Sequence, residues 1–233
     1  MKSSPLFFLG LFAALGFSLT ALVLATNAQY GGLAPYVDQN VATAFPQPAS
    51  GLAARGHLVY QDLGCAACHT QQVRRADFGS DKERGWGDRQ SVARDYVHQD
   101  RVLLGELRMG PDLTNFGARA AAAGLDAARL IILLHDGPGA MPAYPFLLEE
   151  RRIIGQRSSK AFAIAGSPDH ELLPTPRAEA LAAYLLSLTI DHDYPETNLP
   201  AKPAAPAKPA TPGTPAAKPG TPAAPATPEA GKK

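Results

Sequence analysis

Cys65-Ala66-Ala67-Cys68-His69 is the stretch on which the reading of this chain turns. Cys-x-x-Cys-His is the attachment signature of a c-type haem. Two cysteines three apart lie on one face of a helical turn, where both reach the vinyl groups of one porphyrin. The histidine that follows offers its imidazole to the iron. A zinc site would need a further pair of cysteines or histidines, and the chain has only 2 cysteines. A thiol-redox Cys-x-x-Cys has no use for the histidine and sits in a βαβ pattern that is missing here. One covalently bound haem c, with its iron, is therefore the expected cofactor. It uses both cysteines, so no disulfide is expected.

His69 supplies one axial position, and the other ligand must come from far along the chain. Met109, Met141 and the remaining histidines are the candidates. Met141 sits in Gly139-Ala140-Met141-Pro142-Ala143-Tyr144-Pro145. Prolines on both sides of Tyr144 stiffen that loop and hold a thioether in place at low entropic cost. The loop also follows a helix, from which the chain can return over the opposite haem face. Met109 lies in Arg108-Met109-Gly110-Pro111-Asp112-Leu113, which reads better as the loop beneath His69. There the Pro111 carbonyl can accept the Nδ1 proton of His69 and fix its tautomer. Met141 is thus preferred as the second metal ligand beside His69. Haem propionates need cations or N–H donors. Arg74, Arg75, Arg84 and Trp86, just after the motif, are placed to provide them. His57, His98, His135, His170 and His192 read as surface or capping residues.

Outward from the motif, three helices are expected. The first spans roughly 51–63, with Leu52, Leu58, Val59 and Leu63 as its apolar residues. A second starts at the N-cap Asp126, carries Leu130, Ile131, Leu133 and Leu134, and stops at Gly137. The last starts at Thr175-Pro176, a cap followed by proline at the first helical position. Leu181, Tyr184, Leu185 and Leu188 then make one stripe at i, i+3, i+4, i+7. No segment shows sustained period-2 alternation, so the fold class is mostly α with long loops. Long loops are tolerated here because a haem would supply much of the apolar core.

The ends differ from the middle. Leu6 to Ala25 carries no charge and is long enough, at roughly 30 Å of helix, to cross a bilayer. Lys2 precedes it, and no lysine or arginine follows until Arg55. The positive-inside rule then puts residue 1 in the cytoplasm and the haem domain on the far side. A cleaved signal peptide, with small residues around Val23, Ala25 and Ala28, is the rival reading. The apolar run is long for that, and a retained anchor is preferred. Gly10 and Ala14 are spaced to seat against another helix, or simply face lipid. The expected organisation is an anchor over 1–28, a polar connector over 29–50, a cytochrome domain over 51–195 and a disordered Ala/Pro/Lys-rich tail over 196–233. The tail has no aromatic or large aliphatic residue from Ala201 onward and cannot bury a core. From Pro200 onward it holds five lysines against Glu229, so a chain of net charge +1 is acidic elsewhere. That near-neutral total gives no nucleic-acid footprint.

Several segments in order carry a resemblance. They are Gly56-x-x-x-Tyr60, Gly64-Cys65-x-x-Cys68-His69-x-Gln71-x-x-Arg74, Ser91-Val92-Ala93, Gly110-Pro111-Asp112-Leu113 and Met141-Pro142-Ala143-Tyr144-Pro145. Together they resemble the monohaem cytochrome c subunit, subunit II, of cbb3-type cytochrome c oxidases, over about residues 1–147. The Cys-His-x-Gln-x-x-Arg extension and Met-Pro-Ala-Tyr-Pro are the selective parts. The resemblance implies a class I cytochrome c-like haem domain, with Cys65 and Cys68 as thioether carriers and His69 and Met141 as axial ligands. It implies a single-pass protein of the bacterial inner membrane, with its haem domain in the periplasm. Its partners would be the haem–copper catalytic subunit and the other cytochrome c subunits of the oxidase. Leu104-Gly105-Glu106-Leu107-Arg108-Met109 departs from the family's usual Trp-Gly-Ser-x-Arg-Thr, and the stretch Glu149 to Leu173 is unlike most members.

The function expected is the relay of single electrons to the catalytic subunit in aerobic respiration, with no small-molecule substrate. No chemistry of its own beyond electron transfer is expected, as befits a non-catalytic oxidase subunit. The alternative is a free-standing anchored electron shuttle, whose haem site would look identical. A peroxidase needs an exchangeable axial position, and a haem sensor needs an output module; neither suits this pattern.

Overall fold

The computed structural model describes residues 4–164, 167–190 and 192–197. It opens on one apolar helix, Ser4–Tyr30, the only one among the described residues long and apolar enough to cross a membrane. The helix is α-helical over α1 (Ser4–Ser18), widens into a π-helical stretch at Leu19–Leu24, and is α-helical again over α2 (Ala25–Tyr30). None of its residues is buried against protein, as a lipid-facing span requires.

The connector is not featureless. Strands β1 (Tyr36–Asp38) and β2 (Thr43–Phe45) pair antiparallel, with Val37 opposite Ala44. Helix α3 (Gly51–Asp62) follows, and of the apolar residues expected there Val59 and Leu63, the latter just past its end, pack half-buried against the core. Leu52 and Leu58 stay exposed, while Ala53, Gly56 and Tyr60 turn inward. The reason is close packing. A Cβ at Gly56 would fall 1.9 Å from the carbonyl oxygen of Ala180, so small residues must face the neighbouring helix.

Helices α4 (Phe116–Ala122) and α5 (Ala127–Asp136) come next. Asp126 caps α5 as expected: its Oδ1 accepts from the backbone N–H of Arg129 at 2.8 Å. Gly137 ends α5 in the left-handed region at φ 63°. Helix α6 (Pro176–Ser187) starts at the expected Thr175 cap, whose Oγ1 accepts from Ala178 N–H at 3.2 Å. Helices α3, α4 and α5 all pack on α6. The core they enclose joins Tyr60, Leu130, Ile131, Leu134, Leu181, Tyr184 and Leu185 to Leu103, Leu113 and Leu147 from the loops.

The described residues add strands to the expected helices. Strands β3 (Leu148–Arg152), β4 (Phe162–Ala163) and β5 (His170–Pro174) form an antiparallel sheet in the order β3-β5-β4. Its signal in the sequence is missing for a physical reason. All of β3 after Leu148 is exposed, and the buried position on β5 is a glutamate. Glu171 is satisfied there by Arg151 at 3.3 Å and by the Ser158 backbone N–H at 3.0 Å. A 3-10 turn over Pro195–Thr197 ends the described part. The expected tail lies outside the described residues from 198 onward.

Candidate haem site

Gly64 ends the turn after α3 at φ 70°, a backbone that favours glycine. A single 3-10 turn then carries Cys65–Ala67. His69 N–H closes back onto the Cys65 carbonyl at 3.0 Å, so the two cysteines and the histidine share one compact turn.

A second loop is laced along this turn. Leu107 N–H donates to the Ala67 carbonyl at 3.1 Å, Gly110 to Cys68 at 3.0 Å and Leu113 to Thr70 at 2.8 Å. In return Gln71 N–H donates to the Leu103 carbonyl at 2.9 Å. The lacing brings Pro111 to its expected place: its carbonyl oxygen is 2.9 Å from His69 Nδ1. A carbonyl only accepts, so Nδ1 carries the proton and Nε2 is the nitrogen left to bind a metal. Gly110 lies against the imidazole itself. A Cβ there would sit 2.2 Å from His69 Cε1, so only glycine lets the backbone cradle this ring.

The Met141 loop approaches the same motif from another direction. Met141 is half-buried against the core, and Tyr144 N–H returns to the Leu134 carbonyl of α5 at 3.0 Å. The Tyr144 hydroxyl meets the Cys65 thiol. Burial pushes both groups above their ordinary values, with the Tyr144 contact partly offsetting this at Cys65. Met109, by contrast, is 68% exposed and adjoins Gly110 on the loop that lies against His69.

Arg74 and Trp86 stand elsewhere. Arg74 donates through Nε at 3.0 Å and Nη2 at 2.7 Å to Asp81, a carboxylate with no exposed surface. Trp86 is tied by its carbonyl to Asn115 Nδ2 at 3.1 Å, and its ring lies under Arg84 at 4.9 Å. Arg75 pairs with Asp77. The residue the sequence reading passed over is Arg108. Its guanidinium reaches Thr70 Oγ1, Asp81 and the Gln72 carbonyl at 3.2, 3.2 and 2.7 Å, and its backbone is held at φ 45°. These partners lie 27 to 38 residues away in sequence, so no local pattern announces them. His57, read as a surface or capping residue, is half-buried and hydrogen-bonded to Tyr184 at 3.1 Å.

This arrangement fits a haem. Among the described residues no three His, Cys, Asp or Glu side chains converge as a bare metal ion would require. What does come together is a cysteine pair on one turn, an imidazole with only Nε2 free and a glycine cradle against it, with a second loop whose Tyr144 reaches Cys65 and whose Met141 is half-buried against the core.

Residues 18–167 match the family model described as cytochrome c oxidase, mono-heme subunit/FixO, and no curated protein matches the chain. The matched stretch contains the Cys-x-x-Cys-His turn, the Gly110-Pro111 cradle and the Met141 loop. The chain belongs to the mono-haem subunit family of cbb3-type cytochrome c oxidases.

Proposed function

We propose that this oxidase subunit is a membrane-anchored c-type cytochrome that relays single electrons to the haem–copper catalytic subunit. In this reading Cys65 and Cys68 carry the haem as thioethers, and His69 and Met141 hold its iron. When bound, the haem supplies a one-electron carrier. The chain's own residues set how it works. Pro111 accepts the His69 Nδ1 proton, which orients the ring and raises the basicity of Nε2. Gly110 keeps the backbone close enough for that bond. Pro142 and Pro145 hold the methionine loop in shape, so little rearrangement accompanies electron transfer. With His69 and Met141 both holding the iron no position would be left for a substrate, and a thioether ligand would raise the potential.

The same reading gives the chain four parts: anchor 1–28, connector 29–50, class I cytochrome c-like domain 51–195 and a disordered tail 196–233. The lone Lys2 before the apolar helix supports a periplasmic side for the domain by the positive-inside rule. Arg74 and Trp86 remain propionate partners in this proposal only through groups not already engaged, such as Arg74 Nη1 and the Trp86 indole N–H. The observation that carries the reading is the His69 Nδ1 to Pro111 oxygen bond at 2.9 Å over the Gly110 cradle, inside the family match.

The test is made on native membranes. The full chain should co-purify with a larger haem–copper subunit and show the methionine-to-iron charge-transfer band at the red end of its spectrum. Met141→Ala should abolish that band while covalent haem remains. A band that survives the substitution overturns the ligand assignment, and purification without a haem–copper partner overturns the relay.

A further inference from the structure

Tyr60, Gln71 and Tyr184 bring three polar side chains into the core at 1, 2 and 4% exposure. They form a row. The Tyr184 hydroxyl donates to Gln71 Oε1 at 2.9 Å. Its oxygen lies 3.1 Å from His57 Nδ1. Tyr184 has one proton and spends it on Gln71, so His57 Nδ1 is the donor. His57 Nε2, at 3.0 Å from Gln61 Nε2, then accepts. Neutral His57 thus has both ring nitrogens satisfied.

At the other end of the row, the Tyr60 hydroxyl donates to the His69 carbonyl at 3.1 Å. Gln71 Nε2 stands near that hydroxyl with no hydrogen-bond partner of its own. A line of buried dipoles therefore runs from His57 to the backbone of His69. His57, Gln71 and Tyr184 also line an open cavity of about 640 Å³, which gives solvent protons access to the row.

From this geometry we propose that His57 is a positioning residue for electron transfer: it takes up one proton when the site gains one electron, and so makes the reduction potential depend on pH. The proposal rests on the haem being held at His69. The balance is simple. A ferric site and an electron from a donor protein give a ferrous site, while neutral His57 and a proton from the cavity give imidazolium, protonated at Nε2. Gln61 turns its amide oxygen toward the new proton. The net charge of the region is unchanged. Linkage is reciprocal: if the electron raises the affinity of His57 for a proton, the proton raises the affinity of the site for an electron. The buried path between them screens this coupling far less than water would.

Several charged or titratable groups face His57. Tyr184 comes from α6 and Asp100 from the loop after Tyr96, while the neutral Gln61 of its own helix bonds the ring. Asp95, Tyr96, His98, His192 and Tyr194 line the same cavity. Asp95 is neutralised by Arg89 at 2.7 Å, and His98 Nε2 is engaged with the Pro46 carbonyl at 3.0 Å. Burial lowers the proton affinity of His57 more than Asp100 raises it. The coupling therefore belongs on the acid side of neutrality.

The test uses the full haem-loaded chain in detergent, with its midpoint potential measured from about pH 5 to about pH 8. The potential should rise as the pH falls. His57→Gln and Tyr184→Phe should each cut that rise to about half or less, and His98→Gln should leave it intact. The NMR titration of His57 should move to higher pH on reduction. An unchanged profile in Tyr184→Phe, which keeps His57 itself, overturns the proposal even if His57→Gln does not fold. A single His57 titration midpoint in both oxidation states, or loss of the rise in His98→Gln, also overturns it. If these occur with the methionine–iron band intact, the site reading stands and only this proposal fails; absence of covalent haem overturns both.

Discussion

Asp81 is a carboxylate with no exposed surface, and two stretches of loop depend on it. It accepts from the Arg74 backbone N–H at 2.9 Å, from the Arg74 side chain, and from Arg108 at 3.2 Å. Arg108 in turn holds Thr70, next to His69. Burial alone would push the Asp81 carboxyl upward. The hydrogen bonds from Arg74 and Arg108 outweigh it and hold the group well below the usual carboxylate range. The consequence for stability has a definite sign. A depressed acid contributes fully above its unfolded value of about pH 4 and loses that contribution as the pH falls below it. Thermal unfolding between about pH 6 and about pH 3 should therefore show wild type losing stability more steeply than Asp81→Asn. At neutral pH the variant should be less stable by ~2 kcal/mol. Parallel acid profiles would mean that Asp81 is not the titrating group. At this scale the compact Cys65–His69 turn and the Pro111 acceptor were legible, because each is a short run with its own chemistry. Arg108 and Asp81 were not, since their meaning comes from partners distant in sequence. His57 was hidden for the same reason: Tyr184 lies 127 residues away.

Local signals fix the helix ends better than the helix faces. Asp126, Gly137, Thr175 and Pro176 act within one turn of their own positions, and the structure bears each of them out. The inward face of α3 depends instead on what lies opposite. Gly56 meets the Ala180 carbonyl and Tyr184 Cβ, where even one methyl would fall 1.9 Å and 2.6 Å from its neighbours. The nearest of these atoms is backbone and cannot swing aside. Gly56→Ala must therefore separate α3 from α6, at a cost of about 3 kcal/mol, although alanine is the better helix former. Leu58→Ala, on the exposed face, should change stability by about 0.5 kcal/mol or less. Denaturant melts of the two variants check this ranking, and equal effects would put Leu58 on the buried face. The strands escaped notice through their side chains. A strand buried by one leucine and one satisfied glutamate shows no apolar alternation, and the hairpin over β1 and β2 lies in a stretch whose polar, proline-containing character reads as connector.

The whole molecule depends on residues beyond the family match. The match ends at residue 167, yet α6 starts at Pro176 and is the helix on which the other helices of the domain pack. Leu181, Tyr184 and Leu185 are each at most 5% exposed. Burying three such side chains is worth about 6 kcal/mol, comparable to the net stability of a typical domain. The segment after α6 adds a stitch. Arg89 Nε donates to the His192 carbonyl at 3.0 Å, Arg94 Nε to Glu196 at 2.9 Å, and Arg94 also binds the Ala34 carbonyl. His192 stacks flat on Phe45 with ring centroids 4.1 Å apart. One short strip thus fastens the β1–β2 hairpin, which follows the apolar N-terminal helix, to the body of the domain. Three chain lengths separate these contributions. A chain ending after Thr197 should keep the melting temperature and haem content of the full protein. A chain ending after Ile190 keeps α6 but loses the stitch, and should melt several degrees lower, for a loss of about 1–2 kcal/mol. A chain ending after Pro174 should yield no folded domain. If the first truncation already lowered the melting temperature, residues 198–233 would have a structural part to play that their composition does not supply; if the second matched the full chain, the stitch would carry no weight.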